Sequence, residues 1–168
     1  MKKALGLWLV VLLALTGCGK SLQKDLVGKW AYEMSLPASD NDFDGEAKIS
    51  CNSDFFPNKS LNHDCSFTVN MKGKAQDLKI DVIGKLRASG EWSVTDQTVM
   101  DKTVDVKAEI TELKANGETI TDKATIEQAS KEMNSVFLKG ETSTYVTKSF
   151  DGKTWVFELE VDKKKYTV

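Results

Sequence analysis

Apolar and polar residues alternate with a period of two along most of this chain. Leu86, Ala88, Gly90, Trp92 and Val94 interleave with Lys85, Arg87, Ser89, Glu91 and Ser93. Leu26, Gly28, Trp30, Tyr32, Met34 and Leu36 form a second such row, with Lys29 and Glu33 on its other side. Phe67, Val69 and Met71 repeat the pattern, as do Leu78, Ile80 and Val82, then Val104, Val106, Ala108 and Ile110, and finally Trp155, Phe157, Leu159 and Val161. Successive side chains of a strand point to opposite faces, so each row predicts a strand with one buried and one wet face. Asn116-Gly117 and Asp151-Gly152 suit tight hairpins, because both positions tolerate positive φ. Lys72-Gly73-Lys74 and Thr95 to Gln97 supply two further turns, and the terminal KKKYTV is expected to pair beside residues 154–161.

One segment departs from this rhythm. In DKATIEQASKEMNSVFLKG, Ile126, Ala129, Met133, Val136 and Phe137 recur at three- and four-residue spacing, with Ser130 at the edge of the stripe. Thr121 or Asp122 can cap the start and Gly140 the end. The expectation is mainly β: a single antiparallel β-barrel of about 8–9 strands, with one amphipathic helix near 123–138. Closing or nearly closing the sheet would also dispose of its exposed edges.

The first residues, MKKALGLWLVVLLALTGCGK, carry two lysines, a twelve-residue apolar run and small residues before Cys18. A bilayer-spanning helix needs about 20 apolar residues, so this reads as a secretion signal. Leu15-Thr16-Gly17-Cys18 resembles the lipobox of bacterial lipoproteins. That resemblance implies cleavage after residue 17 and a diacylglycerol, with palmitate-type acyl chains, on the Cys18 thiol. Two or three acyl chains anchor a protein firmly, whereas one binds marginally. Residue 19 is Gly and not Asp, which in that family implies release to the outer membrane, facing the periplasm. The expected organisation is a signal peptide at 1–17, a lipidated tether at 18–25 and a β-barrel domain at 26–168. Loss of Lys2 and Lys3 takes the formal net charge from −2 to about −4. Basic residues are dispersed apart from Lys163-Lys164-Lys165, so the chain lacks the concentrated basic face of a nucleic-acid binder.

Gly28-Lys29-Trp30, near the start of the first strand, resembles the Gly-x-Trp signature of lipocalins. Those are eight-stranded barrels that hold small apolar ligands in their mouths, which implies a lipocalin-like fold here. Inward-facing Trp30, Tyr32, Met34, Phe67, Trp92, Trp155 and Phe157 would then line a ligand cavity, or fill the barrel as an ordinary aromatic core. The filled interior is the favoured reading.

Three further groups bear on function. Cys51 and Cys65 form an even pair in an oxidising compartment once Cys18 carries lipid, which reads as a disulfide closing about 15 residues and worth roughly 3 kcal/mol. The segment between them is expected to be a flexible loop, in which a metal site formed with His63, the one histidine, lacks a fourth ligand of normal spacing. Phe55 and Phe56, inside this stapled segment, are expected to plug a barrel end, or else to dock a partner. Asp40, Asp42 and Asp44, followed by Gly45, match the front half of a calcium loop. Position 12 of that loop falls on Cys51, however, and Phe43-Asp44-Gly45 recurs as Phe150-Asp151-Gly152 at a plain hairpin, so a polar turn is preferred.

No catalytic motif is present: no His-Glu-x-x-His, no Gly-x-Ser-x-Gly, no glycine-rich phosphate loop. The expected function is therefore that of a non-enzymatic, cofactor-free, lipid-anchored envelope lipoprotein that works by binding. Its partner is an envelope protein or, alternatively, a small apolar ligand carried in the manner of lipocalins.

Overall fold

The computed structural model describes residues 18–38, 42–75, 77–136, 140–161 and 164–168. The expected signal segment 1–17, along with Phe137 of the helical stripe and Asp40 of the acidic run, lies outside them. The chain order is α1 (Cys18–Asp25), β1 (Gly28–Pro37), β2 (Phe43–Phe55), β3 (Ser60–Gly73), β4 (Lys79–Thr95), β5 (Thr98–Ala115), β6 (Glu118–Thr119), α2 (Lys123–Val136), β7 (Thr142–Phe150), β8 (Trp155–Val161) and β9 (Lys164–Thr167). All nine strands belong to one antiparallel sheet in the order β1-β2-β3-β4-β5-β7-β8-β9, with β6 beside the end of β5. The sheet curls into a half-barrel, the mainly-β architecture expected from the alternation.

Each strand buries the row of side chains that its alternation marks. Trp92 is 3 % exposed and Phe157 2 % exposed, while Lys85, Arg87 and Glu91 face solvent. The concave face carries two apolar clusters. One gathers Leu22, Leu26, Phe55, Leu61, Trp92, Val99, Tyr145 and Phe157 at the end where β7 and β8 fold over. The other holds Phe67, Val82, Ile110 and Leu113, covered by Ile126, Ala129 and Met133 of α2. Asp122 caps α2 as expected: its Oδ2 accepts the Thr125 N–H at 2.9 Å and the Thr125 hydroxyl at 2.6 Å.

Three expectations are corrected. Val104 does not face inward but is 54 % exposed. The β4–β5 register slips between Ser89 and Gly90, which pair with Asp105 and Thr103 respectively, leaving Val104 as the extra residue of a β-bulge. Cys51 and Cys65 do not bracket a flexible loop. They stand directly opposite each other on β2 and β3 and are disulfide-bonded, so the segment between them is a hairpin turning only at 56–59. Residues 18–25, the expected tether, are helical and not a free linker. They form α1, with Leu22 at 6 % exposure and Leu26, the residue just past its end, at 0 % in the aromatic cluster. The i,i+4 spacing of these two leucines gives the helix its buried stripe, and Trp30 Nε1 donates to the Leu26 carbonyl at 2.9 Å, satisfying a helix-terminal acceptor.

The turns follow the expected chemistry with two changes, the first being that Phe43-Asp44-Gly45 is no turn but the start of β2, paired with Met71–Gly73 of β3. Asn116 and Gly117 both take positive φ, 52° and 84°, as a two-residue hairpin requires. Asp151-Gly152 instead opens a four-residue link, in which Asp151 Oδ1 accepts the N–H groups of Lys153 and Thr154 at 2.9 and 2.6 Å.

The half-barrel leaves part of one edge of β5 without a strand neighbour, and α2 covers it with side chains. β7 pairs with Thr98–Lys102 and β6 with Lys114–Ala115. Between them, Asn134 mimics a strand: its Oδ1 accepts the Ala108 N–H and its Nδ2 donates to the Ala108 carbonyl, both at 2.7 Å. Ser130 Oγ accepts the Ile110 N–H at 3.2 Å. Ala108 is 2 % exposed, so water cannot replace these bonds. Asn134→Ala is therefore expected to cost about 2–3 kcal/mol in urea unfolding, and a loss below about 0.5 kcal/mol would show that the edge is not held in this way.

Candidate functional site

Between the two apolar clusters lies a buried polar chain. Ser53 on β2 and His63 on β3 are direct cross-strand partners, and Ser53 Oγ lies 2.6 Å from His63 Nδ1. His63 Nε2 lies 2.9 Å from Asp101 Oδ2 on β5, reaching over β4. The crossing is allowed because the inward positions of β4 at this level are small. His63 pairs with Ala88, and next along stands Gly90, where a Cβ would come within 3.1 Å of Asp101 Oδ1. The Tyr145 hydroxyl donates to Asp101 Oδ2 at 3.4 Å. A proton must lie between Nε2 and the carboxylate. With that proton on Nε2, Nδ1 is free to accept the Ser53 hydroxyl proton, and each member of the chain has a partner. Among the described residues, no buried side-chain polar atom is without one.

Serine, histidine and aspartate in a hydrogen-bonded line resemble the parts of a hydrolytic triad, but the geometry differs from one. Ser53 is 1 % exposed and Asp101 4 %. A nucleophile must reach its substrate, and this hydroxyl faces packed protein. The serine also sits on Nδ1 and the carboxylate on Nε2, the reverse of the usual serine-protease arrangement. The chain is a polar clamp between β2, β3 and β5, one row away from the Cys51–Cys65 bond.

The clamp also affects its two tyrosines. Burial raises the Tyr32 pKa above the ordinary value, with the hydrogen bond to Ser53 pulling it down and the Asp101 charge pushing it up. Tyr145 is raised well above that value, first by burial and then by the charge of Asp101. A pKa raised on folding gives stability that is fully present below the unfolded pKa of about 10 and is lost as pH rises through the folded values. Urea midpoints are therefore expected to hold up to about pH 10 and fall above it, less steeply in Tyr145→Phe. A midpoint flat to pH 11.5 would contradict this placement of the tyrosines.

The residues expected to line a ligand cavity divide into two groups. Trp30, Tyr32, Trp92, Trp155 and Phe157 pack ring against ring in the aromatic end: Trp155 and Phe157 at 4.5 Å between centroids, Tyr145 and Phe157 at 5.2 Å, Phe55 and Trp92 at 5.3 Å, Tyr32 and Phe157 at 5.9 Å. Met34 and Phe67 stand apart from them, at an open depression of about 380 Å³ shared with Ile49 and polar residues such as Glu33 and Lys48. Phe67 rests on Gly84, where any Cβ would collide with its ring. Across the convex face of β1 to β5 runs a polar depression of about 760 Å³, lined among others by Asn52, Asn62, Asp64, Arg87 and Lys107.

The two phenylalanines of the hairpin tip separate as well. Phe55 is 4 % exposed in the aromatic core, while Phe56 is 37 % exposed and its carbonyl accepts Trp92 Nε1 at 3.2 Å. In the acidic run, Asp44 pairs with Lys74 at 3.2 Å, and the Asp42 carbonyl accepts the Lys74 N–H at 2.8 Å. The described residues contain no group of three or more acidic, histidine or cysteine side chains placed to hold a metal ion. Cys18 begins α1, and no described helix is long and apolar enough to cross a membrane. Compared with models of protein families and with curated proteins, the chain matches none. The fold thus defines the class, an antiparallel half-barrel with an aromatic-packed end and a helix on its inner face.

Proposed function

We propose that this chain is a bacterial lipoprotein, anchored through acyl chains on Cys18 to the outer membrane and facing the periplasm, that acts without catalysis by binding an envelope partner. The observation that carries this reading is the packing of the aromatic end. Five of the seven residues that could have lined a lipocalin-like cavity spend their surface on one another and on Phe55 and Tyr145. Binding through the exterior is what such a core leaves available, and the convex polar depression offers a broad hydrogen-bonding surface for it. The buried Ser53 hydroxyl supports a non-enzymatic role.

A second reading, a carrier of a small apolar ligand, is favoured by the depression at Met34, Ile49 and Phe67 beside the α2-covered cluster. Cross-linking in intact cells through a photoreactive group at Asn62, compared with organic extraction of the purified protein, separates the two. The partner reading predicts discrete protein adducts and no stoichiometric lipid. One extracted lipid per chain with no adducts would favour the carrier.

A further inference from the structure

We infer that the aromatic end of the half-barrel is a membrane-seating face, with Val27 and Phe56 immersed in the interfacial region of the bilayer that holds the lipid anchor. The inference rests on the reading of Cys18 as the acylated residue. Given that, the occupant of this face follows from chain length. Cys18 is the first residue of α1, and Leu22, four residues on, is 6 % exposed in the core. Four helical residues span about 6 Å. No length of free chain separates the acyl groups from the folded domain, so the end carrying α1 is held against the lipid surface.

That same end exposes apolar side chains. Val27 links α1 to β1 and is 37 % exposed, as is Phe56 at the β2–β3 turn. Gly28 pairs with Phe55, so Val27 and Phe56 stand at the same level, one residue beyond the β1–β2 ladder. The β4–β5 turn opens at this end too: Trp92 N–H bonds the Lys59 carbonyl, and Trp92 Nε1 bonds the Phe56 carbonyl. The β2–β3 turn therefore holds Phe56 on a fixed backbone, fastened to the indole beneath it. An exposed aromatic at a rigid turn is the kind of group that partitions to a bilayer interface.

Charge does not drive the seating. Lys24, Lys29 and Lys59 lie at this end, but so do Asp25, Asp54 and Asp96; Lys29 pairs with Asp54 at 3.8 Å, and Lys59 sits 5.7 Å over the Trp92 ring. Depth of immersion should therefore be the same in zwitterionic and anionic vesicles, unlike that of a polybasic surface.

The test uses the full mature protein, purified from membranes and reconstituted into phosphatidylcholine vesicles, with a nitroxide attached through Phe56→Cys. A second sample carries it through Val27→Cys, and a reference sample through Glu118→Cys at the β5–β6 hairpin. Oxygen is enriched in the bilayer and a nickel chelate is excluded from it, so their ratio of collision rates reports depth. The expected result is a ratio several-fold higher at 56 and at 27 than at 118, unchanged when a third of the lipid is phosphatidylglycerol. Equal ratios at all three sites, in protein whose mass shows an acylated Cys18, would overturn the inference and leave the lipoprotein reading standing. Protein whose mass shows no acyl chains on Cys18 would overturn both. Because 56 and 27 are exposed and on different elements, misfolding of one labelled protein leaves the other to decide.

Discussion

His63→Ala is expected to lower the unfolding free energy by about 3–5 kcal/mol, because it strands a carboxylate inside the sheet. Asp101 is 4 % exposed, and its short contact is the imidazole Nε2 at 2.9 Å; the Tyr145 hydroxyl at 3.4 Å is a longer and weaker partner. The same substitution removes the acceptor of the Ser53 hydroxyl, itself 1 % exposed. An unpaired buried charge costs far more than the pair gained by forming. The double variant His63→Leu with Asp101→Leu should therefore be less destabilised than His63→Ala alone. A thermodynamic cycle through the single variants would then give a coupling of at least about 1–3 kcal/mol. Singles that cost under 1 kcal/mol and add without coupling would mean that water reaches Asp101 and the clamp holds nothing together.

Phe157→Ala should be comparably severe, by about 3–5 kcal/mol, for a different reason. Phe157 is 2 % exposed and its ring meets three others: Trp155, Tyr145 and Tyr32. These come from β8, β7 and β1, so the ring joins the two halves of the curl, which are not neighbours in the sheet. Truncation leaves a cavity that the surrounding aromatics, being rigid and in contact with one another, collapse into poorly. The urea midpoint should fall with an unchanged m value. A variant that instead lost under 1 kcal/mol would show that the end of the half-barrel repacks freely, and an open interior would then gain support over a filled one.

The strands were legible because a half-buried strand writes its burial directly into alternate residues. β4 is the clearest case, with Leu86, Ala88, Trp92 and Val94 all turned inward or partly so. Val104 reads as part of a regular row because a bulge adds one residue to one strand without leaving a mark in hydropathy. α1 leaves little mark in the sequence because its buried contacts come from Leu22 and from Leu26 just past its end, and Leu26 also fits the row of β1. Nothing in the spacing of α2 marks Asn134, since its role depends on where β7 leaves β5.

The clamp was hidden for another reason. Its members are far apart in the chain, His63 and Asp101 by 38 residues, and no spacing rule connects them. One signal was nevertheless available. Leu61, His63, Cys65 and Phe67 alternate as a single row, so extending the strand at Phe67 back by two steps places His63 inside. The small pair Ala88 and Gly90, set between Leu86 and Trp92 in the inward row, marks where something can cross β4. A flexible loop between the cysteines is incompatible with both signals, and the β2–β3 hairpin accommodates them.

Lipid anchorage and a filled interior are both read out by intact-mass measurement of the membrane-extracted protein, first under native and then under denaturing conditions. The expected result is one denatured mass, that of a chain beginning at Cys18 with two or three acyl groups, and a native mass that adds no further lipid. A chain that retains residues 1–17 or lacks acyl groups would contradict the anchor. A native mass heavier by one bound lipid per chain, lost on denaturation, would contradict the filled interior.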